Sequence, residues 1–316
     1  MSESARHETI ALLIPAWNAA QWLPRLLNSA HAQTEPFDEI WVYDDCSTDD
    51  TADVAARFGA RVLRGDVNKG CSAGKNALAA VCQADWLHFH DADDELLPNF
   101  VTLARRWIAN TPPDVVLFDY EYRDNVTQAL IATRRFDHHA LTQDPRRYAI
   151  REQINAICGL YRREAFLKAR GYELDPEVLF NEDVALHIKL AFAGLSFGAE
   201  SEVSIINYRI GGSMSTGNQA KCFRAHHEVM RRVAQRPDAT PYHQDIGRKL
   251  WHVAGLLAAC GDWVAADRAV RDARKLMRPD AAAGAVWYRL LACFAPRFAL
   301  RVREYAIRWL KPSLRP

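Results

Sequence analysis

Asp91, Asp93, Asp94 and Glu95 follow directly on the apolar, aromatic run Trp86–His90. Such a run reads as a buried strand. A strand that brings several carboxylates to its carboxyl-terminal edge carries a charge penalty unless a cation sits there. The one-residue spacing of Asp91 and Asp93 suits a hard divalent ion that also holds phosphate oxygens. In open α/β sheets that edge is where ligands bind. Taken alone, the four acids are equally compatible with a solvated acidic loop. Farther along, Glu182 and Asp183 open a helical pattern, where the macrodipole favours anions and where a carboxylate could act as a general base.

The elements that must position these residues follow from hydrophobic periodicity. Thr9–Ile14 is a continuous apolar run, stopped by Pro15, and Gln21–Ala32 has helical spacing with Pro24 in its first turn. Glu39–Tyr43 reads as a second strand ending in Asp44 and Asp45, with Ser47 or Thr48 capping a helix that runs to Phe58. A short strand at Ala60–Arg64, a turn at Asn68–Gly70 and an alanine-rich helix at Ser72–Cys82 come next. The Trp86 strand follows, and then a helix at Asn99–Asn110 after Pro98. Strands alternating with helices imply parallel pairing through right-handed crossovers, an α/β nucleotide-binding sheet. Beyond this half a strand resumes at Val115–Phe118 and the signals weaken; the polar Asp124–Asp144 suggests a hairpin, and Ile154–Tyr161 leads into a helix at Arg163–Arg170. Ser204–Tyr208 is the last strand, followed by the glycine- and serine-rich Gly211–Thr216. From Lys221 the composition turns to Ala, Arg, Leu and Trp. There Lys249–Cys260 and Trp263–Met277 form two antiparallel helices joined at Gly261, similar to a single tetratricopeptide unit.

The expected organisation is therefore an α/β domain over 1–216, split into halves at 9–112 and 113–216, with a helical appendage over 217–316. The formal charge of +1 on 316 residues recruits no nucleic acid. Seven scattered cysteines without a Cys-x-x-Cys pair, and a polar start from Met1 to Glu8, point to a reducing, cytoplasmic compartment. Arg297–Arg315 interleaves six basic residues with Phe298, Tyr305 and Trp309. That pattern fits either an anionic membrane surface or a solvated helix packed on the body.

Several familiar sites are excluded. Gly70–Lys75 is one residue short of a phosphate loop, and Asn76 stands where a magnesium-binding Ser or Thr belongs. No Gly-x-Gly-x-x-Gly follows the first strand, which argues against a dinucleotide oxidoreductase. His88 and His90 share a strand face without a third ligand at zinc spacing, so packing or hydrogen bonding suits them better than metal binding. An Asp-x-Asp phosphohydrolase would carry its acids after the first strand, and a nucleotidyltransferase would need a Gly- and Arg-rich first loop. What remains is a set of polar strand ends, at Pro15–Asn18, Asp44–Asp45, Asn68–Gly70 and Asp91–Asp93, gathering on one edge.

Five segments in order, Leu13–Asn18, Val42–Thr51, Asn68–Asn76, Phe89–Asp94 and Asn181–Leu186, make residues 9 to about 210 resemble an inverting family 2 glycosyltransferase of GT-A fold. That resemblance implies Mg²⁺ or Mn²⁺, a nucleotide-diphosphate sugar donor and a glycan or glycolipid acceptor, in cell-surface polysaccharide synthesis. By position, Pro15, Ala16 and Trp17 would border the base and Asn18 would steady the turn. Asp45 would accept from the base, Lys75 would lie near base or phosphates, and Ala92 would line the donor site. Asp91 would face the ribose or donor sugar beside the metal, and Asp93 would ligate that metal. Asp183 would be the general base, with Glu182 beside it, and Arg209 would meet phosphate. Gly211 replaces the histidine of the family's later Tyr-Arg-x-His pattern, and Cys46 replaces a glycine, a change expected to be neutral. The rival on the same fold is a non-catalytic sugar-nucleotide-binding or scaffold protein.

Overall fold

In a computed structural model, residues 7–210, 217–279 and 286–311 are described, and they fall into two compact units. The first comprises 1–149, 154–174 and 186–211; the second comprises 150–153, 175–185 and 212–316. Residues 150–153 and 175–185 thus fold with the helical unit although they precede position 216.

The first unit is built on β1 (Ile10–Ala16), α1 (Leu23–His31), β2 (Glu39–Asp44), α2 (Thr51–Arg57), β3 (Arg61–Arg64), α3 (Cys71–Val81) and β4 (Trp86–Phe89). β3, β2, β1 and β4 pair in parallel in that spatial order, as the alternation of strands and helices requires. β5 (Glu95–Leu96), α4 (Phe100–Ile108), β6 (Val115–Asp124), β7 (Leu130–Arg134), α5 (His138–Gln143), α6 (Pro145–Arg151), β8 (Gly159–Arg162), α7 (Arg163–Lys168), α8 (Glu182–Phe192) and β9 (Phe197–Arg209) follow. β3, β2, β1 and β4 show the parallel pairing expected of the first half, and the second half departs from it. β8 inserts antiparallel between β4 and β6, so the sheet is mixed. β8 follows β7 through two short helices rather than a crossover helix, which leaves its direction free to reverse.

Other departures have local causes. β1 does not stop at Pro15 but runs on to Ala16, with Pro15 beside Tyr43 and Ala16 beside Asp44. The Leu13 carbonyl accepts from His90 N–H, so by alternation the missing N–H of Pro15 falls on the β4 flank, where pairing has already ended. α2 begins at Thr51 with Asp50 at the cap position and no side-chain cap, so Ser47 and Thr48 lie ahead of the helix, where they meet Asn18. β9 starts seven residues before Ser204, and the two-residue β5 pairs antiparallel with it. The hairpin expected in 124–144 is β6–β7, followed by α5.

The second unit contains α9 (Gln219–Ala234), α10 (His243–Ala259), α11 (Trp263–Leu276), α12 (Val286–Phe294) and α13 (Pro296–Leu310). α10 and α11 turn at Gly261, which takes a φ of 77° that suits glycine. They share a core of small and branched residues, Val253, Ala254, Leu257, Ala266, Ala269 and Val270, joined by Leu300 from α13. The Asp262 carboxylate caps α11 by accepting from Ala265 N–H.

Candidate active site

The acids after β4 form a tight turn held at both ends. His90 N–H donates to Leu13 at its start, Asp94 N–H donates to the Asp91 carbonyl at 3.2 Å, and β5 anchors its end on β9. Asp94 is buried and serves the architecture, accepting from Tyr208 N–H at 2.8 Å and Asn207 Nδ2 at 2.6 Å. Glu95 accepts from the Tyr208 hydroxyl at 2.7 Å. These two acids fasten the turn to β9, while Asp91 and Asp93 remain only partly covered. Burial, reinforced by the charge of Asp91, pushes the Asp93 carboxyl up to about 6. Burial and both neighbours push Asp94 well above the usual carboxylate range. Carboxyls that hold their protons this firmly are short of positive charge.

One cation is already supplied. Lys75 of α3 is 2% exposed. Its ammonium lies 3.7 Å from Asp91 Oδ1 and 5.1 Å over the Tyr172 ring. Burying an ammonium requires such company. A second cation was not foreseen from the sequence. Arg25 of α1 donates to the Asp93 carbonyl and, at 2.8 Å, to Asn125 Oδ1, with its guanidinium stacked 3.8 Å over Tyr208. It ties α1, the acid turn and β9 together. Nothing marks this arginine locally, since it sits 68 residues from its partner in an ordinary helix.

The neighbouring strand ends complete the edge. Trp17, just past β1, is 58% exposed and presents an open indole. Asn18 takes a left-handed φ of 49°, which asparagine tolerates, and its Oδ1 accepts from Thr48 N–H at 2.9 Å. Asp45 is buried; its two oxygens accept from Lys69 N–H at 2.8 Å and Gly70 N–H at 2.7 Å, leaving further lone pairs for a base. Gly70 takes a φ of 84°, and a Cβ on Gly74 would fall 2.6 Å from Tyr43 Cδ1, which explains both glycines of the 68–76 segment. Cys46 has a φ of 60°, so replacing the family's glycine there is not neutral; the residue is held in a strained, left-handed conformation. Ala92 is buried within the acid turn.

His88 and His90 are not placed as metal ligands. Both are fully buried, and burial drives His88 well below its ordinary range and His90 down to about 3, Lys75 adding to the latter. His88 Nδ1 is 2.9 Å from the Gly159 carbonyl, an acceptor only, so that nitrogen must donate. His88 Nε2 then accepts from His90 Nδ1 at 3.0 Å. His90 Nε2 is left as a bare acceptor with no partner among the described residues. The pair is a neutral, directional relay bracing the base of the acid turn.

Arg209 ends β9 with its guanidinium 4.0 Å over the Tyr122 ring. The Gly211–Thr216 loop lies outside the described residues. Glu182 and Asp183 begin α8 and belong to the second unit, Glu182 buried and Asp183 partly covered. Among the described residues no three His, Cys, Asp or Glu side chains gather into a metal cage. The Asp91–Asp93 pair still fits a dication, because burial and the charge of Asp91 leave the Asp93 carboxyl short of positive charge.

A mixed sheet with polar strand ends converging on an acid turn defines a GT-A-type α/β fold. Residues 11–168, half of the chain, match Glycosyl transferase family 2, and the chain belongs to that family. The succinoglycan biosynthesis protein ExoU of Rhizobium meliloti is 29% identical over 205 residues, covering 60% of this chain and 58% of ExoU. An uncharacterized glycosyltransferase of Haemophilus influenzae is 31% identical over 90 residues, covering 28% of this chain and 31% of its own length. The chain therefore spans from under a third to under two thirds of these relatives. Among solved structures, S. aureus TarS 1-349 in complex with UDP-GlcNAc superposes with a TM-score of 0.68 at 16% identity, covering 95% of this chain and 92% of that one. The mannosyltransferase PcManGT from Pyrobaculum calidifontis, in complex with GDP-Man and Mn²⁺, gives 0.60 at 15% identity, covering 97% and 89%. At such identities the likeness speaks to the fold.

Proposed function

We propose that the chain transfers a sugar from a nucleoside-diphosphate donor to a hydroxyl of a glycan or glycolipid acceptor, with inversion, during polysaccharide assembly. The observation that carries this reading is the Asp91–Asp93 turn with buried Lys75 at its side, on the same sheet edge as exposed Trp17. Family membership supports it, as do the nucleotide sugars bound by the TarS and PcManGT structures and the succinoglycan role in the name of ExoU.

In this reading Trp17, with Pro15 and Ala16, packs the base, and Asp45 accepts from it. Asp91, Ala92 and Lys75 border the sugar and phosphates, and Arg209 reaches phosphate. Asp93 with Asp91 would hold Mg²⁺ or Mn²⁺, which would supply Lewis-acid neutralisation of the leaving diphosphate. Asp183 takes the acceptor hydroxyl proton as the new bond forms at the anomeric carbon and the bond to the diphosphate oxygen breaks, and Glu182 supports it. In-line attack inverts the anomeric centre. Arg25 keeps Asp93 in place through its carbonyl, leaving the carboxylate to the metal.

The protein works in the cytoplasm at an anionic membrane face. Among the described residues no helix is long and apolar enough to cross a membrane. α13 buries Ala299, Leu300 and Glu304 and exposes Phe298, Tyr305 and Trp309, the last two at 67% and 83%, in one stripe edged by Arg301 and Arg308. Such a stripe suits an interface. The deciding experiment is a panel of UDP-, GDP- and TDP-sugars scored for Mn²⁺-dependent thermal shift and then for transfer or donor hydrolysis. No shift with any donor would overturn the reading.

A further inference from the structure

The helical unit holds a cleft that none of these roles uses. It has a volume of about 920 Å³ and lies between α9 and α11, with buried Ala225 and Ala265 at its floor. Phe180, three residues ahead of Asp183, forms an aromatic wall. α9 lines it with Lys221, Arg224 and Arg231, and α11 with Arg268 and Arg271. These positions repeat at three and seven residues, the spacing of one helix face. At the rise of an α-helix, Lys221 to Arg231 spans about 15 Å.

Acids line the cleft too, but each already has a cation partner. Asp262 holds Arg224, and Glu228 holds Arg231 at 2.6 Å. Glu177 shares Arg232, at 2.6 Å, with Asp175 and Glu228, and Asp272 meets Lys275 at 2.7 Å; both cations lie outside the lining. Asp272 also meets buried His227 at 3.0 Å. Among the described residues Arg268 and Arg271 have no carboxylate partner and are exposed, and Lys221 has only the Phe180 ring, 5.1 Å below its ammonium. The cleft is left with a surplus of positive charge along its length. Guanidinium forks match carboxylates and phosphates, and a row of them matches a chain of anions rather than one ion. One aromatic ring packs a sugar face; it offers no ladder for stacked bases, and the chain's charge of +1 gives no field for nucleic acid.

We propose that this cleft binds an anionic glycan, one carrying carboxylates or phosphates along its chain, and that it is the acceptor strand. The word acceptor rests on the glycosyltransferase reading; the binding itself does not. The test is calorimetry on the full chain, without donor or metal, using tetragalacturonate, a glycerol-phosphate oligomer, maltotetraose and a short oligonucleotide of equal charge. Binding of either anionic glycan more tightly than maltotetraose and the oligonucleotide is expected. The double variant Arg268→Gln/Arg271→Gln should weaken it by at least about tenfold, and Arg268→Lys/Arg271→Lys should lose less. Melting curves establish that the variants are folded. Equal binding of maltotetraose or the oligonucleotide, no binding of either anionic chain, or unchanged affinity in a folded Gln variant would overturn the proposal. The donor panel on the unmodified protein is scored separately. A failed donor shift with intact glycan binding would remove the glycosyltransferase reading alone.

Discussion

The two units place charge in opposite ways. In the sheet unit, carboxylates are concentrated at one turn, with Asp93 pushed up to about 6 and Lys75 and Arg25 nearby. In the helical unit, the acids of the cleft meet neighbouring arginines and lysines, and among the described residues Arg268 and Arg271 have no carboxylate partner. An acid-rich edge selects a dication and the phosphates it carries; a cation-rich cleft selects a polyanion directly. On the proposed reading, the sheet unit would hold the donor and the helical unit, which also carries Asp183, would serve the acceptor.

The contrast can be broken by substitutions in each unit. Asp93→Ala should abolish the Mn²⁺-dependent donor shift and lower transfer by about a thousandfold, the several kcal/mol of a lost Lewis acid. A variant that kept its metal dependence would remove Asp93 from the metal. Asp183→Asn should lower transfer by about 10²–10⁴-fold while donor binding by calorimetry stays intact. Loss of donor binding in that variant would collapse the division between units.

Proton competition gives a third prediction. The Asp93 carboxyl is raised from an ordinary 3.8 to about 6, so the metal-free fold keeps this proton where the unfolded chain has lost it. Metal-free stability therefore declines as pH rises from about 4 through about 6. A dication needs the carboxylate, so the Mn²⁺ and UDP-sugar shift should grow over the same rise and fade below it. Melting temperatures measured with and without Mn²⁺ across that range check this, and a pH-independent shift would refute it. Gly74→Ala places a Cβ 2.6 Å from the Tyr43 ring and should cost about 1–3 kcal/mol in chemical denaturation. The smallest effect is expected of Cys46→Gly, which relieves a left-handed φ of 60° and should gain up to about 1 kcal/mol by the same measurement.

The donor edge was readable because its signals are local. Each polar strand end follows an apolar run, and β1, β2 and β4 lie in one parallel layer by the alternation rule. Arg25 was not readable, since an arginine in a helix looks the same whether it faces water or, 68 residues away in sequence, the Asp93 carbonyl. The reversal of β8 was hidden for a related reason: a four-residue apolar strand carries no mark of its direction. Cys46 shows the limit at a single residue. Its departure from glycine is visible in the chain, but the left-handed backbone that gives the departure a cost is not.

The amino-acid sequence by itself determined the class of fold, the acid turn, the lysine and glycines of the 68–76 segment and the α10–α11 pair. All are patterns of apolar period and polar ends within a few turns of chain. The family resemblance already set Asp94 and Glu95 apart from the proposed metal pair; only the tertiary structure supplied the physical reason, since both are taken by Asn207 and Tyr208 more than a hundred residues on. It also decided that the arginines of α9 and α11 share one cleft, and which of them its acids had already claimed. Charge types are written in the chain; which charges are left unpaired depends on packing.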